Sequence, residues 1–236
     1  MILITGATDG IGLETALHLA RLGHELVLHG RTPEKALRAC DAVRRAVPHA
    51  VLHAAHADLA DLSAASTMAA GLPLTRLDVL VNNAGVYMPE RKLSKDGFEM
   101  TLAVNHIAHF LLTLRLLPLL KQSAAPRVVT VSSIAHTRGA IPFDDMNGAQ
   151  HYDAYRAYAN SKLANVLFAN ELARREPWLA SNSLHPGVID TKLLHIGFSS
   201  TGAPVADGAR TSVFLASAQA VNGITGKYFD NCTATE

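Results

Sequence analysis

The chain has 236 residues, of which 49% are hydrophobic and 17% are charged, so it can bury a large core and is not a disordered protein. Its 21 basic and 20 acidic residues leave a net charge of +1, which gives no sign of a nucleic-acid or acidic-membrane partner. The two cysteines, Cys40 and Cys232, match no metal or redox spacing. We therefore expect reduced thiols in a cytoplasmic protein.

Short apolar runs alternate along the chain with longer segments of helical period, which predicts an α/β fold with a doubly wound parallel sheet of about seven strands and helices on both faces. No linker or repeat divides the sequence, so we expect one domain over residues 1–236. The predicted strands are Met1–Thr5, Glu25–His29, Ala50–Ala55, Leu77–Asn82, Arg127–Ser132, Ser181–Leu184 and Lys227–Phe229. The predicted helices are Ile11–Leu22, Pro33–Val47, Leu62–Ala70, Gly97–Leu120, Tyr155–Arg175 and Val205–Ala216.

The first strand begins without the basic and apolar regions of a targeting peptide. The most apolar stretch, Phe110 to Leu120, contains Arg115 and follows two histidines, so it is too short and too polar at its edges to span a bilayer. We expect a buried helix or a subunit-contact helix there, and no membrane partner.

A glycine-rich segment, Thr5 to Gly12, lies between the first strand and the first helix. Glycines allow a tight turn and a close approach to a pyrophosphate, whose charge the helix N-terminus favours. The spacing is G-x-x-x-G-x-G, which differs from the common dinucleotide pattern G-x-G-x-x-G. An ordinary glycine turn without a ligand remains the alternative for this segment alone.

The second strand ends in His29-Gly30-Arg31-Thr32, which carries no acidic residue to bind an adenosine ribose. An arginine at this place complements a 2′-phosphate through a charge-assisted contact. Arg31 therefore predicts NADP(H) as the preferred cofactor, with NAD(H) as the alternative. Arg31 as a solvated loop charge is the competing interpretation.

Tyr158 and Lys162 are four residues apart on one face of a predicted helix. A lysine cation near a phenol favours the phenolate and lowers the tyrosine pKa, so the tyrosine can act as an acid or a base. Such a pair suits hydride transfer to a carbonyl, which needs a proton on the oxygen. The competing interpretation is an amphipathic helix with a buried tyrosine and a solvated lysine.

Two further polar residues precede this helix. Ser133 ends an apolar strand, where a hydroxyl can orient a substrate oxygen or simply cap the strand. Asn105 lies on an otherwise apolar helix, where it is either a satisfied core amide or an anchor for a water beside the lysine.

Taken together, these motifs resemble the short-chain dehydrogenase/reductase family along almost the whole chain. The resemblance implies a Rossmann-type domain that binds NAD(P)(H). The motifs that carry it are Thr5-Gly6-x-x-x-Gly10-x-Gly12, Asp58-Leu59, Asn82-Asn83-Ala84-Gly85, Asn105, Ser133, Tyr158-x-x-x-Lys162 and His185-Pro186-Gly187-x-x-x-Thr191.

The resemblance also implies a role for each catalytic position. Tyr158 is similar to the family's acid–base, Ser133 to its substrate-orienting serine, and Lys162 to the lysine that holds the ribose and lowers the tyrosine pKa. Asn105 would anchor a proton-relay water. The residues implied to bind the cofactor, together with Tyr158 and Lys162, are Gly6, Thr8, Asp9, Gly10, Ile11, Gly12, Arg31, Asp58, Leu59, Asn83, Ala84, Gly85, Pro186, Gly187, Val188 and Thr191.

The segments that begin at Asn105-His106, Tyr158-Ala159 and Gly226-Lys227 resemble retinol-dehydrogenase-like and WW-domain-oxidoreductase-like members of the family. The chain differs from them because it shows no N-terminal membrane anchor and no WW module, and has a short segment after Thr191. We therefore expect a substrate other than a retinoid. Oligomers of two or four subunits, joined through the long helices, are implied by the resemblance.

Three loops are predicted at the carboxyl ends of the strands: 86–95, 135–153 and 192–204. They suggest a moderately apolar carbonyl or alcohol substrate. The residues expected to contact it are Tyr87, Met88, Ile141, Phe143, Leu193, Leu194 and Phe198.

Other classes of protein remain in competition with a carbonyl reductase. A cofactor-binding sensor or scaffold without catalysis is one, although such proteins usually lose the tyrosine or lysine. A sugar-nucleotide epimerase or dehydratase is disfavoured by the glycine spacing. A metal enzyme is suggested only by the 12 histidines. We interpret these as surface or core residues and expect no metal.

Overall fold

A computed structural model describes residues 1–198 and 200–235 of the chain. Eight strands form one sheet: β1 (Ile2–Ile4), β2 (Leu26–Gly30), β3 (Leu52–His56), β4 (Val79–Asn82), β5 (Arg127–Val131), β6 (Ala180–His185), β7 (Tyr228–Asp230) and β8 (Thr233–Thr235). The helices are α1 (Gly10–Arg21), α2 (Pro33–Ala46), α3 (Leu62–Ala70), α4 (Met100–Leu120), α5 (Ala154–Arg175), α6 (Lys192–Gly197) and α7 (Val205–Ser217).

The strand order is β3-β2-β1-β4-β5-β6-β7-β8, and every pair is parallel except the last. The chain runs outwards from β1 to β3 and then returns to β4 on the other side of β1. In open α/β sheets this reversal point opens the crevice in which ligands bind. The predicted doubly wound α/β sheet is confirmed, and its glycine-rich segment lies at the reversal point.

The eighth strand was missed by the sequence analysis. β8 has three residues, all exposed, and pairs antiparallel with β7 at the edge of the sheet. Because it buries no apolar face, it carries no hydrophobic pattern by which a strand is recognised.

Side chains alternate between the two faces of the sheet and define two apolar layers. Ile2 and Ile4 of β1 face the layer formed with α1, α2 and α7, where Leu19, Val43 and Leu215 are buried. The other layer contains Leu3 of β1, Met68 of α3, Leu112 and Leu116 of α4, and Phe168 of α5. Near-continuous apolar strands are expected because both faces of a parallel sheet are covered by helices.

Helix α4 contains a π-helical turn at Ala103–Ile107, which is centred on Asn105. The carboxylate of Glu99 caps the helix by accepting hydrogen bonds from the amides of Thr101 and Leu102. Over Met100–Leu120 this helix is long and apolar enough to cross a membrane, but half of its apolar window is buried inside the fold. Packing inside the fold therefore accounts for the buried half of this window.

Two loop predictions were wrong in part. Residues 192–197, predicted as loop, form α6, which Thr191 caps through a 3.3 Å hydrogen bond from the amide of Leu194 to its Oγ1 atom. Residues 134–138 form a 3₁₀ turn at the start of the predicted 135–153 loop. Both elements are single short turns, which carry too few residues for a periodic pattern.

Candidate active site

A cavity of about 1160 Å³ opens at the carboxyl ends of the strands. Its walls include every residue that the sequence analysis assigned to the cofactor, and also Ser133, Tyr158 and Lys162. The structure therefore brings together predicted residues from the carboxyl ends of β1 to β6 and from helix α5. Asn105 is the exception, because it lies behind the wall at Gly85.

The glycines of the first loop are required by close backbone contacts. Gly6 and Gly10 have φ angles of +63° and +53°, in the left-handed region that glycine tolerates. A Cβ atom on Gly12 would lie 2.3 Å from the Gly6 carbonyl oxygen. Asp9, which precedes α1, makes no hydrogen bond from its side chain to the first-turn amides. The amide donors at the start of α1 are thus left for another acceptor.

The Oγ1 atom of Thr5 joins the ends of β1 and β4. It accepts hydrogen bonds from the amides of Asn83, at 2.8 Å, and Ala84, at 3.0 Å. The side-chain amide of Asn83 donates back to the Thr5 carbonyl at 2.7 Å. These contacts hold the Asn83–Gly85 turn against the glycine loop, where it forms one wall of the cavity.

At the far end of the cavity lie two exposed cations, Arg31 and Lys35. Lys35 was missed by the sequence analysis because it lies inside α2 and belongs to no motif. Thr32 caps this helix by accepting from the Lys35 amide at 3.4 Å, which turns its first residues towards the cavity. A Cβ atom on Gly30 would be 2.7 Å from the Ala36 amide nitrogen, so glycine permits this close packing.

Other cavity residues were also missed. His29 fastens the loop by accepting a 3.2 Å hydrogen bond from the Gly6 amide. Lys192, at the start of α6, makes an exposed 2.6 Å ion pair with Asp9 across the mouth. The histidine and lysine have no local sequence signal, because their partners are distant in the chain.

Tyr158 and Lys162, on adjacent turns of α5, are buried within the cavity wall. The Lys162 ammonium lies 5.5 Å from the centre of the Tyr158 ring and donates a 3.1 Å hydrogen bond to the Val131 carbonyl at the end of β5. The competing interpretation predicted a solvated lysine on an amphipathic helix. It is wrong for Lys162, which is only 3% exposed.

Burial controls the protonation of this pair. It raises the pKa of Tyr158 to about 12, against a hydrogen bond from Ser133 that acts to lower it. It lowers the pKa of Lys162 to about 8, because the charged form is desolvated. The pKa of Tyr158 is thus shifted upwards by desolvation, opposite to the lowering expected from the lysine, and Tyr158 carries its proton at neutral pH.

The two neighbouring serines differ in their contacts. The Ser132 hydroxyl is buried and donates a 2.7 Å hydrogen bond to the Lys162 carbonyl. Ser133 reaches Tyr158 and also accepts from the Ala135 amide at 3.2 Å. The geometry brings Ser133, the residue that the sequence analysis selected, next to the phenol.

Asn105 is fully buried, and its side chain is held by protein groups. Its amide oxygen accepts from the Val86 amide at 2.7 Å, while its NH₂ group donates to the Val86 carbonyl and to the Ser161 hydroxyl, each at 3.0 Å. Of the two interpretations left open for this residue, the structure shows a satisfied core amide. A water-anchoring role stays a prediction.

Aromatic side chains surround the Tyr158 phenol. The ring centres of Tyr87 and Phe198 lie 5.7 Å and 5.9 Å from that of Tyr158. Met88, Leu193 and Leu194 also line the cavity, as predicted. Two predictions were wrong: Phe143 is 87% exposed, and Ile141 lines a separate small cavity. The segment that begins at Ile141 and ends at Asp153 contributes to the lining of this small cavity instead.

Comparison with known proteins agrees with this geometry. The family model for short-chain dehydrogenases matches residues 1–200. Human retinol dehydrogenase 13 is 42% identical over 249 residues, which cover 97% of this chain and 75% of that protein. Human retinol dehydrogenase 14 is 39% identical over 266 residues, covering 100% and 79%.

Solved structures give the same result. A short-chain dehydrogenase from Shigella flexneri complexed with NADP has a TM-score of 0.80 at 27% identity, covering 98% of this chain and 96% of that one. One from Escherichia coli complexed with NADPH gives the same four values. This chain belongs to the short-chain dehydrogenase family and is an NAD(P)-dependent oxidoreductase.

Proposed function

We propose that this protein transfers a hydride between NADP(H) and a carbonyl or alcohol carbon, as a single domain with Tyr158 as the acid–base. The observation that carries the proposal is that Tyr158, Ser133 and the glycine loop line the same cavity. A cofactor along the loop and a substrate oxygen at the two hydroxyls fit the same space.

The residues present fit a dinucleotide. The free amide donors at the start of α1 suit a pyrophosphate, and the positive end of the helix dipole favours its charge. Lys162, Val188 and Thr191 line the same cavity; in this proposal Lys162 would hold a ribose, and Val188 and Thr191 would contact the nicotinamide. Asp58, whose carboxylate accepts from the Ala60 amide at 3.0 Å, also lines the cavity and would contact the adenine.

Arg31 and Lys35 support NADP(H) over NAD(H). Both cations line the adenosine end of the cavity, where a 2′-phosphate would accept charge-assisted hydrogen bonds from them. The N-terminus of α2 adds its dipole at the same place. The solved relatives that carry NADP or NADPH point in the same direction.

Bound NADPH supplies the hydride for carbonyl reduction, and the chain supplies the proton. Tyr158 donates the proton from its phenol to the substrate oxygen as negative charge develops there. Ser133 donates a hydrogen bond to the same oxygen and holds it in place. Lys162, whose pKa is about 8, is mostly cationic at pH 7 and stabilises the phenolate that remains.

The aromatic surroundings favour an apolar substrate. The ring centre of Phe198 lies 5.4 Å from that of Tyr87, 6.1 Å from that of Tyr155 and 5.9 Å from that of Tyr158. The relatives are named retinol dehydrogenases, so retinal belongs in the test panel beside other apolar aldehydes and ketones. A cytoplasmic location, the absence of a membrane partner and a dimer or tetramer stay predictions.

The cofactor proposal is tested by reversing the charge at the adenosine end. The variant Arg31→Glu combined with Lys35→Glu should raise the Kd of NADPH by at least about tenfold, since each charged hydrogen bond contributes roughly 1.5–3 kcal/mol. The Kd of NADH should change little. Arg38→Glu, an exposed charge reversal on the same helix, is the matched control. Equal losses for NADPH and NADH would refute the preference.

A further inference from the structure

His109 is a buried histidine of α4 that connects two parts of the site without lining the cavity. It is 1% exposed. Its Nε2 atom lies 2.8 Å from the Oγ1 atom of Thr5, and its Nδ1 atom lies 3.0 Å from the carbonyl oxygen of Asn105. The ring thus bridges the end of β1 and the π-helical turn of α4.

The direction of each hydrogen bond follows from the groups involved. The Asn105 carbonyl can only accept, so Nδ1 of His109 carries the hydrogen. Burial lowers the pKa of His109 to about 3, so the ring is neutral and its Nε2 atom is an acceptor. Thr5 must therefore donate its hydroxyl hydrogen to Nε2. This leaves the lone pairs of Oγ1 for the amides of Asn83 and Ala84.

The result is one chain of hydrogen bonds from the π-helical turn to the cofactor wall. At one end, Asn105 holds Val86 through two hydrogen bonds. At the other end, Thr5 holds Asn83 and Ala84. Both ends hold the single segment 83–86. A Cβ atom on Gly85 of this segment would lie 3.5 Å from the Oδ1 atom of Asn105 and 3.7 Å from the Lys162 ammonium nitrogen.

We propose that His109 is a positioning residue that sets the cofactor-binding wall formed by Asn83, Ala84 and Gly85. It acts through the Thr5 hydroxyl, whose hydrogen it receives. Without this acceptor, Thr5 can turn its hydrogen to the Val81 carbonyl, which lies 3.3 Å away, and its lone pairs then leave the two amides. The wall is then no longer fixed in position relative to the glycine loop, and cofactor affinity falls.

The two ring nitrogens can be replaced separately. His109→Gln places an amide oxygen near the Nε2 position and keeps an acceptor for Thr5, whereas His109→Asn places an NH₂ group near the Nδ1 position and keeps only the bond to Asn105. We expect His109→Asn to raise the Kd of the cofactor by about tenfold and His109→Gln to raise it by less than about threefold. Equal Kd values for the two variants would overturn the proposal.

Thr113→Val is the matched control for lost stability. Thr113 lies one turn further along α4 and is fully buried. Its hydroxyl donates a 2.8 Å hydrogen bond to the backbone carbonyl of His109 and accepts one from Asn82 of β4 at 3.1 Å, but it makes no hydrogen bond with Thr5 or with the His109 ring. We expect it to lower the melting temperature as the His109 variants do, with an unchanged Kd. A similar rise of the Kd in Thr113→Val would contradict the proposal.

A double-variant cycle tests the route through Thr5. Thr5→Val removes the hydroxyl, so adding His109→Asn to it should raise the Kd by less than about twofold. Additive losses would overturn the proposed route. All Kd values are measured with both NADPH and NADH on the whole chain. These binding measurements require neither turnover nor a preference for NADPH. A failure of the proposed reaction can therefore be distinguished from a failure of the proposed role of His109.

Discussion

Lys162 is placed where its charge destabilises the fold, and its replacement by methionine tests this directly. Methionine retains much of the length and packing of the side chain and removes the buried charge. The Val131 carbonyl keeps a partner, because Asn165 also donates to it, at 3.2 Å. We therefore expect Lys162→Met to be more stable than the parent protein at pH 7, although it loses catalysis.

The magnitude follows from the pKa of Lys162, which burial lowers from 10.5 to about 8. Each unit corresponds to 1.36 kcal/mol, so the buried charge costs about 3 kcal/mol at neutral pH. In a chain of this size that is a rise in melting temperature of about 6–12 °C in the variant. Any loss of packing around the new methionine reduces this rise in melting temperature.

The pH dependence gives the sharper test. Between pH 8 and 10.5 the unfolded lysine holds its proton while the folded one has lost it, so the parent protein gains stability as pH rises. The stability difference between Lys162→Met and the parent should shrink by about 2 kcal/mol from pH 7.0 to 9.5. Urea unfolding at both pH values measures it. A variant less stable at pH 7, or a difference independent of pH, would refute the reasoning.

Two further predictions use residues whose contacts are well defined. Ser133→Ala should lower kcat roughly 100-fold with little change in melting temperature. Ser132→Ala loses a buried hydrogen bond to the Lys162 carbonyl. It should therefore lower the free energy of unfolding by about 1 kcal/mol and leave most of kcat. Steady-state kinetics and thermal melts measure both effects. A loss of kcat in Ser132→Ala and a loss of stability in Ser133→Ala would show that the roles assigned to the two serines are the wrong way round. Gly12→Ala should abolish the rise in melting temperature that NADPH causes, because its Cβ atom would lie 2.3 Å from the Gly6 oxygen; an undiminished rise would show that the loop can shift.

The sequence predicted those parts of the site that local spacing encodes. The glycine loop, the Tyr158–Lys162 pair and Ser133 each belong to one short segment, and the alternation of apolar runs defines the strands that carry them. Their positions around one cavity follow from the doubly wound topology, since the carboxyl ends of parallel strands meet at one edge.

The sequence could not predict properties that depend on distant partners. The Tyr158 pKa rises rather than falls because the phenol is buried among Tyr87 and Phe198, which lie far away in the chain. Asn105 was ambiguous because its partners Val86 and Ser161 belong to other elements. Its π-helical turn is likewise unmarked in the sequence.

The central claim is that Tyr158 supplies the proton for hydride transfer. Tyr158→Phe removes only the phenolic oxygen, so kcat with an active carbonyl substrate should fall by at least about 100-fold, the lower range of general acid catalysis. The Kd of NADPH should stay within about threefold, because the ring keeps its packing with Tyr87 and Phe198. The direct measurement is a single-turnover assay that follows NADPH absorbance with saturating cofactor and substrate. Loss of turnover with retained binding is the predicted result, and turnover at the parent rate would contradict the account.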